Sequence, residues 1–318
     1  MTATSKAKVL LDLELPQFIE DLFAPHCEWV PWTALEHNAA VLQEVEAVLT
    51  YAHPHLDATS LAKLPALKVI SNYGVGVDHI VLDDCRTIGM PVGNTPGAVN
   101  GATADLTMAL VLAVARNVVT GDRYARSDAF KIFDPGMLLG TDVFGTTLGI
   151  VGMGAIGREV AKRARGFDMH IVYQNRRRDE AAERELGATY CTLEALLDQS
   201  DFVSLNMPLT DSTRNLIGAP ELARMRSSAF LVNTARGGVV DTDALYDTLR
   251  NQRIAGAALD VTEPEPLPRD HPLLALENLV ILPHLGTSTT GTRRRMGQMT
   301  LDNLLAGLAG KPLPNPVA

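Results

Sequence analysis

The fold of this chain follows from one stretch, Thr147-Leu148-Gly149-Ile150-Val151-Gly152-Met153-Gly154-Ala155-Ile156-Gly157. An apolar run of strand type leads into a Gly-x-Gly-x-x-Gly pattern, and a helix-type pattern follows. Gly152 makes the tight turn, Gly154 lets the backbone approach a pyrophosphate, and Gly157 lets the helix pack closely on the strand. The N-terminus of that helix then offers free N–H groups to phosphates. The stretch therefore predicts a dinucleotide-binding site.

Length and composition limit what kind of protein this is. The 318 residues are 46% hydrophobic and 20% charged, which predicts two soluble domains. A net charge of −9 without a long basic run argues against a nucleic-acid partner. Cys27, Cys85 and Cys191 match no metal or disulfide spacing, which favours a reducing compartment. Residues 1–6 lack a signal-type apolar core, and the apolar segment 108–115 is too short for a bilayer, so we expect a cytoplasmic protein without a membrane partner.

Strand-type and helix-type patterns alternate along most of the chain, which predicts crossover units on parallel sheets. The first series has strand candidates at 9–11, 47–51 and 67–72, and helix candidates at 18–22, 59–64 and 80–88. The second series begins with the glycine stretch and has further strand candidates at 171–173, 202–205, 229–232, 257–259 and 279–282, with a helix at 243–251. We expect an α/β protein with two doubly wound sheets. A last helix, at 290–308, is expected to pack back on the first domain.

Two segments between these series leave alternatives open. Gly74-Val75-Gly76-Val77-Asp78 directly follows a strand candidate, so its N–H groups could hold an anion, or it could be a plain turn that Asp78 caps. The helix candidate 100–117 is apolar nearly all round, which predicts burial between domains or between subunits.

The residues after the second strand of the nucleotide-binding series indicate the cofactor. An NAD-binding fold places an acidic residue there, about 20 residues after the last glycine, to bind the ribose hydroxyls. This chain has Asn175, Arg176 and Arg177 at that place, followed by Arg178. The arginines favour the 2′-phosphate of NADP; the alternative is a basic loop that faces solvent.

Residues after the later strands supply candidate chemistry, because ligands bind outside the carboxyl ends of parallel strands. Arg236 lies in a glycine-rich strand end, where its planar fork suits a carboxylate. His284 follows the last strand and enters a glycine loop. A histidine that a carboxylate orients is the ordinary proton donor at neutral pH, and Glu265 lies between them in the sequence.

In order and spacing, Arg236, Glu265 and His284 resemble the catalytic trio of the D-isomer-specific 2-hydroxyacid dehydrogenases. The resemblance covers nearly the whole chain. Within that family, the segment 259–268 with His271-Pro272-Leu273, and the segment 303–307, are similar to the glyoxylate/hydroxypyruvate reductases.

The resemblance implies a flavodoxin-like substrate domain, residues 1–97 completed by 288–318, and a Rossmann dinucleotide-binding domain, residues 98–287. It implies that Val75 and Gly76 bind the substrate together with Arg236 and His284, and that the protein is a homodimer. The cofactor contacts expected from the glycine stretch, the basic loop and the resemblance are Thr103, Gly152, Gly154, Ala155, Ile156, Gly157, Asn175, Arg176, Arg177, Pro208, Thr213, Thr234, Ala235, Arg236, Asp260, His284 and Gly286.

The expected reaction is reduction of a small 2-oxo acid by NADPH, with NAD as a possible cofactor and His284 as proton donor. Glu265 should favour the charged imidazole, and Arg236 should orient the carboxylate. The segment 133–139 lacks the tryptophan that the family often carries there, which leaves open a reductase of bulkier aromatic 2-oxo acids such as hydroxyphenylpyruvate. A dinucleotide-sensing binding protein of the same fold is the alternative from another class.

Overall fold

The computed structural model describes residues 6–317. Residues 1–5, which belong to the stretch without a signal-type core, and residue 318 lie outside the described part. The chain forms two compact units, one of residues up to Val99 together with those from Ser288 onward, the other of Asn100–Thr287.

The first unit is built on a five-stranded parallel sheet. Its strands are β1 (Ala7–Leu11), β2 (Cys27–Pro31), β3 (Val45–Thr50), β4 (Val69–Asn72) and β5 (Val92–Gly93). Its helices before the second unit are α1 (Gln17–Phe23), α2 (Ala34–His37), α3 (Ala39–Leu42), α4 (Ala58–Leu61) and α5 (Leu82–Thr87). The strand order β2-β1-β3-β4-β5 is the flavodoxin-like order. Strand β2 is added on one side of β1 and the later strands on the other side, so the switch point of this parallel sheet lies between β1 and β3.

The second unit is built on a seven-stranded parallel sheet. Its strands are β6 (Thr147–Val151), β7 (His170–Gln174), β8 (Thr189–Tyr190), β9 (Phe202–Leu205), β10 (Phe230–Asn233), β11 (Gly256–Leu259) and β12 (Leu279–Ile281). Its helices are α6 (Asn100–Ala115), α7 (Val118–Ala125), α8 (Ala155–Ala164), α9 (Glu180–Leu186), α10 (Leu193–Gln199), α11 (Ala219–Arg224) and α12 (Thr242–Arg250), with 3₁₀ turns at Arg165–Phe167, Gly237–Val239 and Pro272–Ala275. The order β12-β11-β10-β9-β6-β7-β8 is the Rossmann order with one added strand.

Both faces of the larger sheet are buried, as expected for parallel strands covered by helices. Leu148 and Ile150 of β6 point into the core on one face, and Val151 points into the core on the other. Successive side chains of a strand alternate between faces, so the apolar run of β6 fills both cores.

The expected doubly wound α/β class is confirmed, but three strands were missed. β2 is an edge strand with Glu28 exposed and Pro31 at its end, and β5 and β8 have two residues each. Two residues are too few for an alternating pattern, and in β2 the polar Glu28 and the terminal Pro31 interrupt the apolar run. The helix predicted to end at residue 117 ends at Ala115, because Asn117 takes a left-handed φ of 52° and α7 starts after it.

Among the described residues, no single helix has the length and apolar character needed to cross a bilayer. The successive helices α6 and α7, which are bent by 62° relative to each other, have that length and apolar character only when they are counted as one segment. Much of α6 is buried in the core of its own unit, with Met108, Leu110, Val111 and Val114 covered.

The last helix, α13 (Thr290–Leu308), packs within the first unit. Ser71 Oγ donates to the carbonyl of Thr300 at 2.9 Å, and a Cβ on Gly307 would meet Val69 at 2.4 Å. The close approach at Gly307 brings the helix directly onto β4. The sheet of the first unit is therefore completed by a helix that follows the second unit in sequence.

The glycine turn after β6 depends on two close backbone contacts. Gly152 has a φ of 97°, and a Cβ there would lie 2.9 Å from the backbone of Asn206. A Cβ on Gly157 would lie 2.2 Å from the carbonyl oxygen of Gly152. Among the described residues, Gly154, in contrast, has no atom other than those of its two chain neighbours within 4 Å of its Cβ position, so its face of the turn is open.

We predict that Gly157→Ala destabilises the protein by about 1–3 kcal/mol, because the added methyl forces strand β6 and helix α8 apart. The matched control is Gly166→Ala, whose new methyl would meet no neighbour within 4 Å and should change stability by less than about 0.5 kcal/mol. Urea unfolding followed by circular dichroism measures both. Equal midpoints for the two variants would contradict the close-packing account.

Candidate active site

The site lies at the edge of the larger sheet where the carboxyl ends of its parallel strands meet. The loops after β6, β7, β9, β10, β11 and β12 all leave the sheet at this edge. Ligands of doubly wound sheets bind at this edge, so these loops carry the candidate site residues.

The loop after β6 presents the start of α8 to this edge. Helix α8 begins at Ala155, and its N-cap residue, Gly154, has no side chain to satisfy the first N–H groups. Ala155 is exposed and Ile156 is half-buried, while Gly157 is buried against the strand. The open Gly154 turn and the uncapped N–H groups fit the pyrophosphate of a dinucleotide.

The loop after β7 holds the basic cluster. Arg178 is engaged by Glu183 through two hydrogen bonds of 2.7 Å, and the N–H of Asp179 donates to the Tyr173 hydroxyl at 2.7 Å. Arg176 and Arg177 are exposed, and neither makes a hydrogen bond or ion pair with another of residues 6–317. The loop is thus fixed at its far end, and the guanidinium groups of Arg176 and Arg177 stay available for an anion.

The loop after β9 contains a polar side chain that the sequence reasoning missed. Asn206 Nδ2 donates to the Ser204 hydroxyl at 2.9 Å, while its buried Oδ1 has no donor among the described residues. The backbone of Asn206 packs on Gly152, so this amide lies beside the glycine turn. Further along the loop, the Thr213 hydroxyl donates to the Pro208 carbonyl at 2.7 Å and closes the loop on itself. The sequence signal that could have identified Asn206 is a polar amide directly after the buried strand β9.

The loop after β10 fixes the backbone of Arg236. Asn233 Nδ2 donates to the carbonyl of Arg236 at 2.8 Å, and Asn233 Oδ1 accepts from the N–H of Ala235 at 3.0 Å. A Cβ on the next residue, Gly237, would lie 2.0 Å from the carbonyl group of Thr262. This contact packs the Arg236 loop against the loop after β11, which carries Glu265.

The loops after β11 and β12 bring Glu265 and His284 together. His284 Nδ1 lies 2.6 Å from Glu265 Oε1, as a carboxylate and a ring N–H would lie when hydrogen-bonded. The His284 side chain is 29% exposed and the Glu265 side chain is 37% exposed, so a ligand can reach the pair. His284 has a left-handed φ of 58°, which is uncommon for a residue other than glycine.

Asp260 holds this histidine in place. Its carboxylate accepts the N–H groups of Leu285 at 2.6 Å and Gly286 at 2.8 Å, and its carbonyl accepts the N–H of His284 at 2.9 Å. Burial raises the pKa of the Asp260 carboxyl, and the two N–H groups act in the opposite direction. Both carboxylate oxygens are therefore used to shape the loop that presents His284.

Helix α6 supports the same edge through two threonines. Thr103 Oγ1 donates to the carbonyl of Gly286 at 3.2 Å, and the hydroxyls of Thr107 and Thr234 lie 2.9 Å apart. Thr107 was not among the predicted residues, although Thr103 and Thr107 lie one turn apart on one face of an otherwise apolar helix. Their hydroxyls are spent on the protein itself, so they support the loops after β10 and β12.

In the first unit, the turn after β4 shows its N–H groups rather than its carbonyls. Asn94 Nδ2 donates to the carbonyl of Val75 at 2.8 Å, and Asn72 Nδ2 donates to that of Gly76 at 2.9 Å. The N–H groups of Val75 and Gly76 donate to none of the described backbone carbonyls. Asp78 does not cap the following helix, because α5 begins only at Leu82, with Val81 as its N-cap residue.

Comparison with known proteins identifies the class. The family model described as D-isomer specific 2-hydroxyacid dehydrogenase, NAD binding domain, matches residues 108–286. The chain therefore belongs to the D-isomer specific 2-hydroxyacid dehydrogenases, and it is a dehydrogenase that uses a nicotinamide dinucleotide.

Individual relatives and solved structures show which members of the family this chain is similar to. A glyoxylate reductase of Korarchaeum cryptofilum is 44% identical over 316 residues, which cover 98% of this chain and 95% of that protein. The crystal structure of the TT0316 protein from Thermus thermophilus superposes with a TM-score of 0.89 at 43% identity and covers 98% of this chain and 100% of that one. An NADPH-dependent glyoxylate/hydroxypyruvate reductase from Sinorhizobium meliloti, solved with NADP and malonate, has a TM-score of 0.88 at 28% identity, with 99% and 97% covered.

Proposed function

We propose that this protein reduces small 2-oxo acids of the glyoxylate and hydroxypyruvate type to D-2-hydroxy acids, with NADPH as the preferred cofactor. The observation that carries the proposal is the His284–Glu265 pair, 2.6 Å apart at the edge that also carries Arg236 and the glycine turn. Relatives named glyoxylate reductase, similar over nearly the whole chain, support the substrate class.

The second unit is proposed to bind the cofactor, which supplies a hydride to the carbonyl carbon when bound. The N–H groups at Ala155 and Ile156 would hold its pyrophosphate, and Pro208 with Thr213 would line the cleft beside the turn. Thr234, Ala235 and the Asp260 loop would adjoin the nicotinamide end. Asn206 Oδ1, buried without a described donor, offers an acceptor at the same edge.

His284 is proposed as the proton donor. Because Nδ1–H donates to Glu265, the ring can give up a proton from Nε2, its other nitrogen. Both ring nitrogens carry protons only in the imidazolium, and the carboxylate of Glu265 stabilises that charged form. After the transfer, the neutral ring keeps its hydrogen bond to Glu265 and its orientation.

Two groups are proposed to bind the substrate carboxylate. The guanidinium of Arg236 has donors only and cannot lose its proton, so it can orient a carboxylate without competing as an acid. The N–H groups of Val75 and Gly76 in the first unit supply further donors. The first unit is accordingly proposed as the substrate domain.

The test is oxidation of NADPH at 340 nm with glyoxylate, hydroxypyruvate and an aromatic 2-oxo acid. Turnover of the two small acids is expected, and His284→Ala should lower kcat by about 100-fold or more, the usual contribution of a general acid. A His284→Ala enzyme with near-normal kcat would remove the histidine from this role. Binding of NADPH without turnover of any 2-oxo acid would favour a dinucleotide sensor instead.

In the same assay, Arg236→Lys separates binding from chemistry. Lysine keeps the charge but loses the bidentate fork, so KM for the 2-oxo acid should rise strongly while Kd for NADPH barely changes. An unchanged KM would show that Arg236 serves the fold rather than the substrate.

The preference for NADPH is proposed from the loop after β7. A 2′-phosphate is largely dianionic near pH 7, and Asn175, Arg176 and Arg177 present a neutral amide and positive charge where NAD-specific folds have a carboxylate. Arg178 is held by Glu183, so Arg176 and Arg177 are the arginines expected to meet the phosphate.

We predict a roughly 10- to 100-fold preference for NADPH in kcat/KM, since charge-assisted hydrogen bonds are strong but this loop is exposed. Asn175→Asp with Arg176→Ala should reverse the preference and leave turnover intact. Arg184→Ala, an exposed arginine on the neighbouring helix α9, serves as the control and should leave the ratio unchanged. Equal kcat/KM for NADH and NADPH in the unmodified protein would overturn the assignment.

A homodimer is proposed from the segment between α7 and β6. Phe130, Ile132, Phe133 and Leu139 of this segment are 52%, 74%, 81% and 76% exposed. The apolar side chains of α6, which first suggested an interface, are largely covered by their own sheet, so the exposed segment carries the argument. Single exposed apolar residues are common, but four so close in sequence are typical of an interaction surface.

Light scattering at micromolar concentration should give twice the chain mass of 34.2 kDa. Ile132→Asp with Phe133→Asp should give the single-chain mass, whereas Leu13→Asp, another exposed apolar site in the first unit, should not. A monomeric unmodified protein would contradict the proposal. A cytoplasmic location is proposed as well, since all three cysteines are free thiols.

A further inference from the structure

The edge of the smaller sheet carries a cationic group mounted on an aromatic ring. Tyr51 follows β3 and Tyr73 follows β4; we name these two tyrosines the Tyr51 platform. Arg293 lies in the first turn of α13. The guanidinium carbon of Arg293 lies 5.1 Å from the centre of the Tyr51 ring, and the two tyrosine rings meet edge to face at 5.0 Å. These strand ends lie at the edge of the sheet where a flavodoxin-like fold binds its ligand.

The platform is fixed by hydrogen bonds on two sides. Asp12, just after β1, accepts the N–H of Tyr51 at 2.9 Å and that of Ala52 at 2.8 Å. The Tyr73 hydroxyl donates to the carbonyl of Arg293 at 2.6 Å and thereby ties the helix to β4. Tyr73 is buried and Asp12 is half-buried. Burial raises the pKa of both side chains. Arg293 is thus presented by a rigid support.

Among residues 6–317, the charge of Arg293 has no carboxylate counterion. Arg293, Arg294 and Arg295 stand in succession near the start of α13, where the helix dipole is already positive, and the first turn has no acidic residue. The other two arginines likewise pair with no carboxylate in the described part of the chain: Arg294 lies over the Phe18 ring, and Arg295 donates to the Ala98 carbonyl and the Thr292 hydroxyl.

Arg293 itself donates to the Ser288 hydroxyl at 3.1 Å and keeps further N–H groups unspent within the described residues. In a protein of net charge −9, this half-buried arginine rests on a fixed support and meets no described carboxylate, so its remaining donors can serve an oxygen-bearing ligand.

We propose that Arg293 is a specificity-determining residue that binds an oxygen on carbon 3 of the 2-oxo acid. This inference rests on the proposed function. Val75 and Gly76, whose N–H groups are proposed to hold the carboxylate, follow Tyr73 by two and three residues, so the platform adjoins their turn. A guanidinium can only donate, so it favours a substrate with a hydroxyl or carboxylate oxygen at that carbon over one with a methyl group or a hydrogen atom.

Hydroxypyruvate and pyruvate form the matched pair that tests this, because they differ by one hydroxyl on carbon 3. The unmodified protein should prefer hydroxypyruvate, and Arg293→Gln should lower the ratio of the two kcat/KM values by roughly tenfold, mainly through KM. That factor is the loss expected for one charge-assisted hydrogen bond at a partly exposed site. Arg293→Lys, which keeps the charge, should recover part of the ratio.

Arg294→Gln is the matched control, because it removes the same charge one residue away, over Phe18, and should leave the ratio unchanged. Thermal unfolding of each variant reports whether the fold is intact. If Arg293→Gln does not fold, Tyr51→Leu replaces it: this change removes the aromatic support and should lower the same ratio.

Glyoxylate, which has no carbon 3, separates the two possible failures. If the unmodified protein reduces none of the three acids, the proposed function fails. If glyoxylate is reduced and the ratio for hydroxypyruvate over pyruvate is the same in the unmodified protein and in Arg293→Gln, the assignment of Arg293 is overturned while the proposed function stands.

Discussion

The candidate site at the edge of the larger sheet depends on the hydrogen bonds that the buried carboxylate of Asp260 accepts. It binds two successive N–H groups, at Leu285 and Gly286, in the loop that presents His284. A non-glycine residue in the left-handed region costs on the order of 1–3 kcal/mol, whereas a hydrogen bond to a charged group contributes about 1.5–3 kcal/mol. Two such bonds offset the strain at His284, and they fix the ring opposite Glu265. The same carboxylate is destabilised by burial, so the loop is held by a group whose ionised form depends on those two bonds.

The sequence predicted the parts of the fold whose pattern is local. The glycine stretch indicated β6, its turn and the start of α8, and α13 was predicted at its observed limits because a long helical pattern marks it. The edge strand β2 was missed because the polar Glu28 and the terminal Pro31 interrupt its apolar run. Strands β5 and β8 were missed because two residues cannot show an alternation. Their pairing comes from neighbouring strands rather than from their own composition.

The residues of the candidate site also fall into those that a local pattern predicts and those that it does not. Residues that directly follow strands, such as Arg236 and His284, could be predicted, because strand order alone brings them to one edge. Thr107 and Arg293 could not be predicted, since the role of each depends on a partner far away in sequence: Thr107 meets Thr234, and Arg293 meets Tyr51. Asn206 could have been found, because it directly follows the buried strand β9. A hydroxyl on an apolar helix or an arginine in a basic run has no distinctive pattern until its neighbour is known.

Helix α13 gives the chain an order of assembly. The strands of the first unit are synthesised before α13. Gly307 nevertheless packs on Val69 of β4, and Ser71 of β4 donates to the carbonyl of Thr300, which the ribosome adds 229 residues later. All of Asn100–Thr287 lies between these partners and has its own core, so it can fold while β4 still exposes apolar surface. The nascent chain therefore carries an unfinished first unit until Thr290–Leu308 has been synthesised.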